Sequence, residues 1–365
     1  MRILVATDSI GAMSSRNAGE VIAAGWRPGA EVAVLPIGEA GAGFVAAYAD
    51  LAGITTSTQV IDGRAVTTGT GTTGTVTTGS GSSTAVVRVQ GSDQGSQGAG
   101  IPYQQSSRSI GEAVAAVVRS EPPDRILVDL TGLWVHDAGA GMLAALGAVG
   151  DRPLDQGVAG LHGLSQLDLA PARALLEKTE LIGVIPVAQL ARPLLGLRGI
   201  TAVTGREAGE EADLMLSTDA ALEAFAKFAS PSDAAAHGAG ACGGLGFAVL
   251  ALGGRLTTGP ALALSSPQGQ TGLRQVDLVA TGCSVFDFAS RGGGVVAAMA
   301  EAASGVLSPC IVIAGEVVIG SREMRTMGVE AAYAVRESVL DDPRGDVSET
   351  ELSATARRVA RSWTW

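Results

Sequence analysis

The chain has 365 residues, 46% of them hydrophobic, with a formal net charge of −11. That length supplies an ample core and favours two domains over one, while the charge makes nucleic acid or an anionic membrane surface a poor partner. Three scattered cysteines, Cys242, Cys283 and Cys310, argue against a disulfide framework and suit a reducing compartment. No apolar run approaches the ~20 residues of a membrane span, and the opening MRILVATDS is too short for a secretory leader. A cytoplasmic protein is expected.

In chain order, RILVA (2–6) reads as a buried strand, and Ser14 or Ser15 can cap a helix carrying Ala18, Val21, Ile22 and Trp26 on one face. EVAVLPI (31–37) is a second strand and GAGFVAAYADLAG a second helix. The Thr/Gly/Ser tract from residue 66 onward reads either as a flexible linker or as a β-hairpin, because Val66, Val76 and 85–89 alternate with threonine. A helix at 109–119, the strand RILVDL (125–130), a helix from Ala138, the strand ELIGVIPVA (180–188), and helices at 214–229 and 240–252 follow. VDLVATG (276–282), PCIVIAGE (309–316) and VEAAYAVRE (329–337) are further strands, each leading into or out of a helix. SETELSATARRVARSW is a closing amphipathic helix capped by Ser348 or Thr350.

This pattern predicts an α/β, two-domain protein: a flavodoxin-like doubly wound sheet of order 2-1-3-4-5, residues 1–60 plus 273–365, interrupted by a second α/β domain at 61–272. In such a sheet the ligand crevice lies where the winding reverses, beyond strands 1 and 3. Asp8 and Ser9 follow the first of these strands, and Thr281, Gly282, Ser284, Asp287 and Ser290 follow the third. Glu39 follows strand 2, and Asp137 sits at another strand–helix turn. Carboxylates on a glycine-lined cleft suit Mg²⁺ held with a nucleotide, or a general base. An aspartate at such a turn is, taken alone, more often a helix cap. His162 and His237 have no partner at metal spacing, and no Walker-type glycine–lysine loop exists.

These stretches together resemble the bacterial glycerate kinase family, whose members phosphorylate glycerate with ATP and Mg²⁺. A-P-D-S-F-K-G-S-L-S-A is similar to ATDSIGAMSSR here, and P-I-A-D-G-G-E-G-T to PIGEAGAGF. G-G-S-x-T-N-D-G-G-A-G-M is similar to TGLWVHDAGAGM, and G-A-G-A-A-G-G-L-G to GAGACGGLG. N-P-L-x-G-P-x-G-A-x-x-V-F-G-P-Q-K-G corresponds to RPLLGLRGITAVTGREAG, and T-G-E-G-R-x-D-x-Q-T-x-x-G-K to TGCSVFDFASRGGG.

The resemblance implies catalytic roles for Asp8, Asp137 and Asp287, with Asp8 and Asp287 also holding metal. It implies substrate or phosphate contacts from Ser9, Glu39, Arg192, Arg206, Thr281, Gly282, Ser290 and Arg291. Several partners differ: the family's lysines fall at Gly11, Ala208 and Gly294, its Glu at Cys283, its S-x-T-N at Leu133–His136, and an acid at Gln189. Phosphoryl transfer depends on positioning and charge compensation, so such losses imply weak or lost turnover unless arginines substitute. The expected function is phosphorylation of glycerate or a related small hydroxy acid. The alternative is a non-catalytic ligand-binding or regulatory protein, a homo-oligomer or one with a protein partner, with Trp134 and the SWTW tail as contact points.

Overall fold

The computed structural model describes residues 1–61, 63–73, 82–91, 100–336 and 347–363. It divides into two compact units, Met1–Leu51 with Thr258–Trp365, and Ala52–Thr257. The junctions come earlier in the chain than the expected 60/61 and 272/273. Strand Thr55–Ile61 belongs to the second unit because all seven of its residues pair with Arg64–Thr70. The helices at 259–265 and 267–273 belong to the first, where Ala263 is buried against Leu4 and Val279.

The first unit is built on β1 (Arg2–Val5), β2 (Glu31–Val34), β3 (Leu278–Thr281), β4 (Cys310–Ala314) and β5 (Ala331–Ala334). All are parallel, in the order β2-β1-β3-β4-β5. The winding therefore reverses between β1 and β3. Parallel strands covered on both faces read as continuous apolar runs, and the alternation of β1 divides them between two cores. Leu4 and Ala6 join Val279, Val312, Val296 and Met299 on one face. Ile3 and Val5 join Ala280, Ile311, Ile22 and Leu352 on the other.

The helices are α1 (Ser15–Ala23), α2 (Ala42–Ala52), α3 (Gly259–Ser265), α4 (Pro267–Leu273), α5 (Gly293–Gly305), α6 (Ser321–Thr326) and α7 (Glu349–Trp363). Ser14 is the cap of α1, its hydroxyl accepting from Asn17 N at 3.3 Å. Ser15 instead receives Ile37 N at 2.9 Å, which ties the start of α1 to the loop after β2. Ser348 and Glu351 form a reciprocal capping box on α7, with Ser348 N donating to Glu351 Oε2 at 2.9 Å and Glu351 N to Ser348 Oγ at 3.3 Å. Trp363 donates from Nε1 to the Tyr333 hydroxyl at 2.7 Å and packs on the core. Trp365 lies outside the described residues.

The second unit carries a six-stranded sheet in the order Arg255–Thr257, Glu180–Val184, Arg125–Asp129, Ser82–Gln90, Arg64–Thr73, Thr55–Ile61. The first four are parallel and the last three antiparallel neighbours. The hairpin reading of the Thr/Gly tract is thus the one adopted for 64–73 and 82–90; Val76 lies outside the described residues. Its glycines serve close packing: a Cβ on Gly71 would sit 2.8 Å from the Ile54 side chain. The Glu180 strand stops at Val184, two residues before Pro186, which has no ladder donor to give. Helices Arg108–Ser120, Ala140–Leu146 and Ala241–Ala251 share one core with Val87, Val128 and Leu181. No described helix is long and apolar enough to cross a membrane.

Candidate active site

The loops leaving β1 and β3 are joined at the point where the winding reverses. Asp8 N donates to Gly282 O at 3.0 Å. Gly11 N donates to Ser284 Oγ at 3.1 Å, and that hydroxyl donates to Ser9 O at 3.3 Å. Gly282 is required by contact: a Cβ there would lie 2.2 Å from Ile313 O and 2.8 Å from Thr7 Oγ1. Thr281, fully buried, has a hydroxyl with no hydrogen-bond partner.

Asp8 is half-buried and accepts from Ser9 N at 2.8 Å. Its carboxylate also lies against Gly43 in the first turn of α2, 3.4 Å from where a Cβ would stand. Burial raises its pKa and the nearby Glu39 adds to that, against the Ser9 bond, leaving it pushed up to about 6. Asp287 ends the short strand Val285–Asp287 and accepts at Oδ1 from Ser290 N at 2.6 Å and Ser290 Oγ at 2.8 Å. Burial, then Asp8, then Asp287 push the Cys283 thiol up to about 12. That leaves Cys283 a poor nucleophile.

The turn into α5 holds three successive residues in the left-handed region, Arg291 at φ 52°, Gly292 at 75° and Gly293 at 79°. An arginine there carries strain of about 1 kcal/mol. The turn leads into a 13-residue helix beside Asp287, and its own amides are engaged, Arg291 N with Asp287 O and Gly293 N with Ser290 O, each at 2.9 Å, and Gly292 N with Ser290 Oγ at 3.4 Å. Arg291 itself lies over the exposed Phe288 ring, 5.9 Å from its centroid. Position 11 cannot easily carry a long side chain, since Gly11 has φ 57° and its Cβ position is 3.0 Å from Val347 N.

The remaining expected residues lie in the second unit. Asp137 is fully buried and accepts from Ser107 N and Oγ, each at 2.9 Å, from Gly139 N at 3.0 Å and from Gly141 N at 3.2 Å. Burial pushes its pKa up against these bonds. Three of these bonds fall on Oδ2 and one on Oδ1, and two of them fix the backbone at the start of the helix Ala140–Leu146. His136 is also buried, bonded through Nε2 to Thr201 Oγ1 at 2.9 Å, and burial lowers its pKa to about 4, so it is neutral at neutral pH. Arg206 donates from Nε to Ala202 O at 2.6 Å and from Nη2 to Leu197 O, which fixes it to its own helix and to the loop before it. Arg192 is half-buried. Asp129, read in the sequence only as the end of a strand, is fully buried beside Arg88.

Among the described residues no cluster of three or more His, Cys, Asp or Glu could hold a metal alone. Mg²⁺ in phosphotransferases is held by one or two carboxylates plus phosphate and water, a requirement that Asp287 alone can meet.

The model of the glycerate kinase family matches residues 3–364. An uncharacterized protein of Mycobacterium bovis is 32% identical over 92% of this chain and 84% of its own length. The glycerate kinase of Bacillus subtilis is 28% identical over 99% of this chain and 97% of its own. A crystal structure from Salmonella typhimurium LT2, of a protein provisionally named glycerate kinase 2, shares this fold with a TM-score of 0.75 at 23% identity, covering 99% of this chain and 96% of that one. By its matched length and by the motifs at its strand ends, this chain belongs to the glycerate kinase family.

Proposed function

We propose that the chain is an ATP- and Mg²⁺-dependent phosphotransferase acting on glycerate or a related small hydroxy acid. The observation that carries this reading is Asp8. A half-buried carboxylate with its pKa pushed up to about 6, set at the reversal of a doubly wound sheet, is poised to take a proton near neutral pH. Asp8 accepts the proton of the acceptor hydroxyl, and Asp287, oriented by Ser290, fixes charge beside it. Asp287 is the residue that would hold Mg²⁺, which when bound would neutralise charge developing on the phosphates. First-turn amides of α5 beyond Gly293, with Arg291, would donate to phosphate oxygens, while Ser9, Gly282 and Ser284 hold the two loops in register.

A second reading, a non-catalytic ligand-binding protein, has one specific support. The only lysines, Lys178 and Lys227, belong to the second unit, so the unit that carries Asp8 has no lysine of its own to compensate phosphate charge. Formation of ADP with D-glycerate, ATP and Mg²⁺ at high enzyme concentration decides between them. D-glycerate-dependent ADP supports the phosphotransferase. A thermal shift with ATP–Mg²⁺ but no ADP supports the binder.

A further inference from the structure

On one side the sheet of the second unit ends at Thr55–Ile61, whose outer flank bonds no other strand and no backbone group among the described residues. Its seven residues, TTSTQVI, pair one to one with Arg64–Thr70, without a bulge, and include no charged residue and no proline. Val60 is 76% and Ile61 51% exposed. Sheet edges are normally blunted by shortness, charge, proline or a bulge, because an open row of N–H and C=O groups templates further pairing. The opposite edge of this sheet follows that rule: Arg255–Thr257 is three residues long, and Arg255 pairs with Glu180 at 2.7 Å. In the first unit the edge strands β2 and β5 have four residues each. Among the described edges, Thr55–Ile61 is the long and uncharged one.

One face of this strand borders a space. Thr55, Ser57, Gln59 and Ile61, alternate residues of that face, line a groove of about 620 Å³ whose far wall includes Ala116 and Val117 of the helix Arg108–Ser120. The helix starts beside Ile61, where Glu112 shares a smaller hollow with Arg64, and it ends toward Thr55. The two ends of the groove differ in charge. Glu112 is already paired with Arg108 at 2.7 Å. The half-buried Arg64, at the Ile61 end, makes no ion pair among the described residues, and neither does the exposed Glu121 at the Thr55 end.

We propose that Thr55–Ile61 is the docking edge for a second copy of this chain, paired antiparallel about a two-fold axis at Thr58 so that the two sheets become one. The register centred on Thr58 is the one that pairs all seven residues. It sets Thr58 opposite its own copy, Thr56 opposite Val60 and Thr55 opposite Ile61, so β-branched side chains face one another and no like charges meet. It also covers the exposed Val60 and Ile61. Antiparallel pairing brings the Ile61 end of each copy to the Thr55 end of the other, which supplies Arg64 with the opposite charge of Glu121 on the second copy. Such a contact is self-complementary and closes at two copies. Seven residues a side fall short of the ~20–30 of a standard interface, so the dimer is weak and concentration-dependent. The inference rests on the second unit alone and is independent of the phosphotransferase reading.

Sedimentation equilibrium of the full chain from ~1 to ~500 μM at physiological salt tests it, with a monomer–dimer equilibrium of Kd about 10–100 μM expected. Thr58→Lys sets two ammonium groups against each other at the axis and should weaken the dimer at least ~10-fold, whereas Thr58→Val should change it less than about twofold. Arg64→Glu and Glu121→Arg should each weaken it about threefold, and the double variant should recover the wild-type value, which a merely structural role of either residue does not produce. Melting temperatures at low concentration show which variants fold, and the charge-reversal set keeps the answer available if Thr58→Lys does not. A chain that stays monomeric up to ~500 μM, a dimer as tight in Thr58→Lys as in the wild type, or a double reversal that recovers nothing would each overturn the proposal.

Discussion

Asp8 and Asp137 are the same residue type at the same kind of place, the turn from a strand into a helix, yet the structure treats them oppositely. Asp137 is fully buried with four donors on its carboxylate, all from its own turn and from Ser107. Asp8 is half-buried, with one backbone donor, and burial first and Glu39 second raise its pKa. A carboxylate saturated by backbone amides organises a turn; one desolvated with few bonds keeps its reactivity. Number of donors, rather than position along a motif, separates a cap from a candidate catalyst.

The largest expected effect breaks the comparison at Asp8. Asp8→Asn should lower glycerate-dependent ADP formation by ~10²–10³ while raising the melting temperature at neutral pH. The folded-state pKa of Asp8 lies above its unfolded value of 3.8, so the folded state binds the proton more tightly. Its contribution to stability therefore falls as pH rises from about 4 through about 6, and a neutral amide removes that cost. Asp137→Ala should do the opposite, costing about 3 kcal/mol or more in urea unfolding because several buried N–H groups lose their acceptor.

Smaller changes sharpen the contrast. Gly282→Ala drives a methyl group toward Ile313 O and Thr7 Oγ1 and should cost about 2 kcal/mol, measurable as a lower urea midpoint, together with reduced turnover because it parts the β1 and β3 loops. Ser348→Ala removes one half of the α7 capping box and should cost about 1 kcal/mol with no change in turnover per folded molecule.

Much of the first unit was legible in the sequence. Ile3–Val5, Leu278–Ala280 and Cys310–Ala314 are unbroken apolar runs, as strands buried on both faces must be. The reversal that unites Asp8 with the β3 loop followed from strand count and winding rules. Strand Thr55–Ile61 was not legible, because its TTSTQVI is polar at an edge and carries no core pattern. The helix Ile200–Ala208 was hidden inside a motif comparison. Asp129 gave no signal because a carboxylate ending an apolar strand looks the same whether it faces water or a buried arginine. Likewise nothing in the spacing around Asp137 showed that Ser107, thirty residues earlier, would occupy its carboxylate.

The most direct measurement is the pH dependence of D-glycerate-dependent ADP formation in the wild type beside Asp8→Asn. The account predicts turnover that climbs through about pH 6 as Asp8 ionises, and that nearly vanishes in the more heat-stable variant. A wild type that forms no ADP at any pH, or an Asp8→Asn chain that turns over as fast as the wild type, would contradict it.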